Sequence, residues 1–227
     1  MNKKSLKISI VLNIINTLMV IFACYVMFSG FKFMQGRDLV LQSSKVGMFK
    51  FFTVDSNLFM SIIALIFAVK EIRLLKGKVK EIPTLYYILK LMATTSVTLT
   101  FVVVFAYLGP IAKYGIGSLL MNANLFLHLI IPLLSIFTFI FFEKTNLLKV
   151  KDLFLAVVPT IIYGIYYILN ILIHMDEGKV SPIYDWYYFV QNGVWTAVIV
   201  VPVIFTISYI ISLILWKLNK KEGEKHE

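Results

Sequence analysis

The sequence predicts an all-α polytopic membrane protein, a six-transmembrane-helix bundle forming a single domain over residues 1–227. Three observations predict it. Hydrophobic residues make up 59% of the chain, charged residues only 15%, and the mean hydropathy is +0.86, a composition that no soluble domain needs. The apolar residues gather into six stretches, roughly 7–29, 46–69, 84–109, 118–142, 153–174 and 190–216, each near the ~20 residues with which a helix crosses a ~30 Å hydrocarbon core. The loops between them are short, and their basic residues concentrate on alternate turns of the chain.

Each stretch carries its own signal. The first begins behind Lys3, Lys4 and Lys7, but its apolar run exceeds that of a secretory leader and no A-x-A site follows, so it is read as a retained helix. The second opens on FFTVDSNLF, residues 51–59, and closes on an apolar IIALIFAV; the third carries Lys90 near its inner end, where a lysine is expected to snorkel. In the fourth, NLFLHLIIPLL sets Pro132 four residues beyond His128. The missing proline N–H deprives the residue 128 carbonyl of its helical donor, which predicts a kink centred on the histidine. The segment SPIYDWYYF, residues 181–189, precedes the sixth stretch and reads first as an interfacial aromatic belt, with a substrate lid as the alternative.

Basic residues fix the expected orientation. The N-terminus, KEIRLLKGKVK, EKTNLLKVK and KLNKKEGEK carry 3, 5, 3 and 4 Lys or Arg, against 6 on the other side at Lys32, Arg37, Lys45, Lys50, Lys113 and Lys179. Both termini are therefore expected in the cytoplasm of a bacterial-type plasma membrane, where the formal charge of +10 anchors the chain to an anionic leaflet. That charge pattern argues against nucleic-acid binding. One cysteine excludes an internal disulfide, and a lone intramembrane histidine among scattered amides offers no zinc or haem ligand set, so no cofactor or metal is expected.

Polar residues within such stretches are costly and tend to face a wet or enclosed interior. Thr53 lies about 7 residues, or roughly 10 Å, from the outer end, and His128 about 10 residues, or roughly 15 Å. Asn122, Asn124, Thr98, Thr100, Tyr166, Asn170, Asn192 and Thr196 fall in the same half, while the inner halves of helices two, four and six look apolar. Only Asn13, Asn16 and Thr17 break the trend. The pattern suggests an outward polar pocket above an apolar plug, with Asn124 and His128 on one helical face.

A threonine hydroxyl needs a general base to act as a nucleophile, and a neutral imidazole is the usual one. Thr53 and His128 could form such a dyad on an acyl ester, with Asn57 and Asn124 as oxyanion donors and Asn124, Tyr166 and Asn170 lining the pocket. Blander roles stand beside these. Thr53 could be the N-cap of helix two, His128 a structural histidine bonded to a neighbouring helix, and Asp55, about 200° around the helix from Thr53, a solvated interfacial carboxylate.

FFTVDSNLF, followed about seventy residues later by NLFLHLIIPLL, resembles the androgen-induced-gene-one and androgen-dependent-TFPI-regulating-protein family together with its bacterial six-helix relatives. The resemblance spans most of the chain, departing at Asp55, where bacterial relatives commonly carry Gln. It implies an intramembrane threonine hydrolase of fatty acid esters of hydroxy fatty acids or similar lipid esters, with Thr53 as nucleophile and His128 as base. A non-catalytic lipid or small-molecule binder or transporter with the same pocket is the rival reading, and a subunit whose polar groups only glue helices together is a third.

Overall fold

In the computed structural model, residues 2–35, 45–190 and 194–220 are described; Arg37, Asn192 and the end of the basic tail lie outside them. Among the described residues six long helices carry the fold: α1 (Lys3–Ser29), α2 (Phe52–Leu75), α3 (Thr84–Leu108, continued by Gly109–Ile111), α4 (Ala123–Phe141), α5 (Asp152–Ile173) and α6 (Val194–Asn219). A two-residue antiparallel hairpin, Met175–Asp176 with Lys179–Val180, joins α5 to the segment before α6. Among the described residues five helical stretches are long and apolar enough to cross a membrane: Lys3–Ser29, Thr84–Leu108, Ala123–Phe141, Asp152–Ile173 and Val198–Asn219. The chain is thus an all-α, membrane-type bundle.

Local rules account for the ends. Asn2 caps α1 by accepting the Ser5 N–H at 2.7 Å, and Gly30 closes it in the left-handed region at φ 71°. Asn122, at φ 50°, turns the chain from a 3-10 helix (Ile116–Leu120) into α4. The second helix starts later than the hydropathy predicts. Lys45–Lys50 form a 3-10 helix, Phe51 is extended and buried beside Trp186, and the α-helix opens only at Phe52. It also runs past Val69 to Leu75, because Glu71 finds partners inside the bundle and Lys70 lies over the Tyr86 ring.

Helix α3 is the hub. It packs against α2, α4, α5 and α6, and α1 closes the bundle against α2 and α4. Apolar residues fill two regions, one around Val20, Met60, Ile63, Val97 and Leu127, the other around Phe67, Leu91, Phe139, Leu153 and Leu215. Large apolar side chains on α1, α5 and α6, such as Leu18, Ile162 and Ile199, point outward, as they do when lipid is the solvent.

Two expectations fail at the basic end. Lys90 does not snorkel: it is 1% exposed and paired with Glu143 at 3.0 Å, because Glu143, Asn13 and Glu71 meet it inside the bundle. The inner half is therefore no apolar plug. Sequence hydropathy averages a helix over all its faces, and these charges sit singly on the inward faces of separate elements.

Candidate active site

Both α3 and α4 contain a five-residue π turn, Val104–Leu108 and Phe126–Ile130, and in each the second residue beyond the turn is a proline, Pro110 or Pro132. Proline has no N–H to donate, so the preceding turn rewinds to wider i→i+5 bonds; Gly109 N–H reaches Val104 O and Ile131 N–H reaches Phe126 O. The predicted distortion at His128 is thus a π turn with the histidine at its centre.

The two π turns border a cavity of about 450 Å³ in the half of the bundle away from the basic end. Thr53 and Val54 from the start of α2, Leu99 and Thr100 from α3, and Asn124, Leu127 and His128 from α4 line it, with Tyr163 and Tyr167 from α5 and Ile204 from α6. Tyr187 and Phe189 close it from above. Apart from a few hydroxyls, the Asn124 amide and the imidazole, the wall is carbon.

His128 is buried, and its Nδ1 lies 2.7 Å from the Leu119 carbonyl oxygen. A carbonyl only accepts, so Nδ1 carries a proton in this contact, and in the neutral ring Nε2 keeps its lone pair. Thr53 stands in the first turn of α2 as the second helical residue, so it is not the N-cap; Phe51 holds that place and caps with no side chain. The Thr53 carbonyl is held by Ser56 Oγ at 3.2 Å and Asn57 Nδ2 at 2.7 Å. No direct hydrogen bond joins the Thr53 hydroxyl to His128 among the described residues.

The other expected pocket residues divide. Asn124 lines the cavity. Asn57 is fully buried beside it, and its amide bridges the Thr53 and Leu127 carbonyls, tying α2 to α4. Tyr166 is 49% exposed and packs against Tyr163 and Trp186 on the outer face of α5, away from the lining. Asn170 donates to the Tyr184 carbonyl at 2.7 Å, holding the following loop. On α5, Tyr163 and Tyr167 face the cavity instead. The helical period brings position 163 and position 167, not 166 and 170, to that face.

The aromatic segment packs against the cavity, with Tyr187 and Phe189 in its wall. Asp185 is fully buried, and its carboxylate accepts the Tyr167 hydroxyl and the N–H groups of Phe189 at 2.9 Å and Val190 at 3.0 Å. Trp186 is buried and donates to the Tyr163 hydroxyl, which in turn donates to the Lys50 carbonyl at 2.6 Å. The Tyr187 oxygen accepts the Phe52 N–H at 3.0 Å, capping α2 from this segment. Burial pushes the Tyr187 phenol up to about 12, so it stays neutral at physiological pH.

Fold and cavity together define a membrane-type helical bundle with a half-open apolar chamber into which His128 faces. No protein-family model, no curated protein and no solved structure matches the chain.

Proposed function

We propose that the protein is an integral membrane ester hydrolase acting on a lipid-type acyl ester, with six spans, both termini cytoplasmic, and the chamber opening toward the outer leaflet. The likeness of FFTVDSNLF and NLFLHLIIPLL to the androgen-induced-gene-one family supports this reading. The single observation that carries it is that Thr53 lines the same carbon-walled cavity as a buried histidine whose Nδ1 is committed to a backbone carbonyl. That tautomer leaves Nε2 as the base.

In this mechanism an acyl chain occupies the apolar wall and its ester carbonyl sits at Thr53. Thr53 Oγ1 attacks the carbonyl carbon as its proton passes to His128 Nε2. The tetrahedral oxyanion takes hydrogen bonds from the Asn124 amide and from the Thr53 N–H, which has no intrahelical carbonyl to bond in the first turn. The ester C–O bond then breaks, and the imidazolium returns its proton to the leaving alcohol. Water, deprotonated by the same Nε2, attacks the acyl-threonine and releases the acid. The chemistry uses no metal or organic cofactor and acts within the bilayer.

The absence of a direct Thr53–His128 hydrogen bond favours one rival, a lipid binder or carrier that uses the same cavity. Labelling of the purified protein by an alkyl fluorophosphonate separates them. The hydrolase labels, and labelling is lost in both Thr53→Ala and His128→Ala. A folded wild type that does not label, but retains a lipid through purification, is the carrier.

A further inference from the structure

The charged groups that the cavity does not use meet near the basic end. Glu71 on α2, Lys90 on α3 and Glu143, two residues beyond α4, are all buried, as are Ser9 and Asn13 on α1. Lys90 Nζ pairs with Glu143 Oε1 at 3.0 Å and donates to Asn13 Oδ1. Asn13 Nδ2 donates to Glu143 Oε1 at 2.8 Å and to Glu71 Oε2 at 3.3 Å, and Ser9 Oγ donates to Glu143 Oε1 at 3.3 Å. Tyr87 on α3 faces both carboxylates, with Glu81 of the preceding loop behind it.

The charges do not balance. Two carboxylates face one ammonium, which leaves one negative charge in a region of low dielectric, where an uncompensated ion is heavily penalised. The hydrogen bonds do not balance either. Among the described residues, Glu71 Oε1 and Glu143 Oε2 are buried with no hydrogen-bond partner. A carboxylate oxygen can only accept, and no described residue offers these two a donor.

We propose that this cluster is a proton-binding site, in which Glu71 carries one exchangeable proton and Lys90 is the fixed counter-ion of Glu143. The Lys90 ammonium, at 3.0 Å, and the Asn13 amide, at 2.8 Å, lie closer to Glu143 than to Glu71. Glu71 has the weaker set: the Asn13 amide at 3.3 Å, the Ser9 hydroxyl and a more distant Lys90 charge. One added proton cancels the surplus charge and makes an orphaned acceptor a donor. A metal cation fits less well: two free oxygens fall short of the six or more that hard cations gather, and the Lys90 ammonium already stands among the carboxylates.

A second cavity, of about 470 Å³, lies beside the cluster on the side of the basic end. Leu6, Leu74 and Tyr87 line it, each one helical turn from Ser9, Glu71 or Lys90 on the same helix face. Lys144, next to Glu143, lines it as well, with Lys3 and Lys80 at the rim. The nearest open space to the site is therefore at the basic end of the bundle, away from the Thr53 chamber, and the site does not depend on the ester-hydrolase reading.

Difference infrared spectroscopy of the purified protein tests this. Wild type near neutral pH is expected to show a carboxylic-acid C=O band that shifts in D2O and fades as pH rises. The isosteric Glu71→Gln variant, which keeps the fold, removes that band while leaving those of other buried carboxyls. Lys90→Met, if it folds, leaves two carboxyls without a cation, and the band roughly doubles. Glu71→Gln alone decides the matter. A neutral-pH band unchanged by Glu71→Gln, or none to remove, overturns the proposal. So does a band that disappears when sodium replaces potassium at constant pH, which would make the site a cation site.

Discussion

Asn57 on α2 donates its side-chain amide to the Leu127 carbonyl on α4 at 3.2 Å, replacing a hydrogen bond that α4 cannot make for itself. In the π register that carbonyl points to residue 132, a proline with no N–H, while Ile131 N–H is engaged by Phe126 O. Asn57 thus holds the turn that carries His128 while binding the Thr53 carbonyl with the same amide. It acts as a positioning residue between the two proposed catalytic groups. Asn57→Ala leaves the Leu127 carbonyl unsatisfied and is expected to cost about 1–3 kcal/mol in thermal unfolding. Fluorophosphonate labelling should fall in this variant by more than the folded fraction does, because the π turn relaxes. A parallel loss of both would reduce Asn57 to a structural tie.

Thr53 offers a sharper chemical test. Thr53→Ser keeps the hydroxyl on the same backbone and should retain ester hydrolysis; Thr53→Ala should abolish it with unfolding little changed, since the hydroxyl makes no hydrogen bond among the described residues. His128→Ala removes the base, for which a loss of about 10²–10⁴-fold in kcat is expected. It also deprives the Leu119 carbonyl of its donor, so this variant should lose stability where Thr53→Ala does not. Equal activity in Thr53→Ala and wild type would end the nucleophile reading.

The sequence made some of this legible and hid the rest for physical reasons. Helix existence follows from apolar length, and the distortion at His128 follows from one proline. Hydropathy places the start of α2 too early because it does not distinguish a 3-10 turn from an α-helix, and the break at Phe51 depends on a ring buried against Trp186. Depth in the membrane points to Tyr166 and Asn170 as pocket residues. Depth says nothing of rotation, and Tyr163 and Tyr167 hold the inward face. The Glu71–Lys90–Glu143 cluster was hidden most deeply: each charge stands near a helix end where solvation is the usual reading, and only the three-dimensional arrangement of four elements brings them together.

Asp185 makes the role of the aromatic segment testable. Its carboxylate carries the Tyr167 hydroxyl and the Phe189 and Val190 N–H groups, three bonds to one buried anion. Asp185→Ala leaves all three donors unmatched, and with about 1.5–3 kcal/mol for a typical hydrogen bond to a charged group, the segment 181–190 should detach before the bundle melts. Limited proteolysis in detergent should then cut within that segment in the variant and leave wild type intact. Bulky esters should gain access while turnover of long-chain esters falls, since Tyr187 and Phe189 no longer close the chamber.

The chamber wall predicts selectivity for acyl length. Ile204 lines the cavity from α6 and is half-buried, so a larger ring there projects into the space where an acyl chain would lie. Each methylene transferred from water to an apolar site contributes about 0.8 kcal/mol, or roughly fourfold in affinity. Ile204→Phe, by excluding about two methylenes, should lower kcat/KM for long-chain esters roughly fifteenfold by the same arithmetic, with short-chain esters nearly unaffected. Overpacking strain of about 1–3 kcal/mol would appear as a lower Tm shared by every substrate. The ratio of long- to short-chain kcat/KM is therefore the informative quantity. If Ile204→Phe shifts that ratio and Tyr166→Phe, on the outer face of α5, does not, the ester chain lies in this cavity; if neither does, the substrate binds elsewhere.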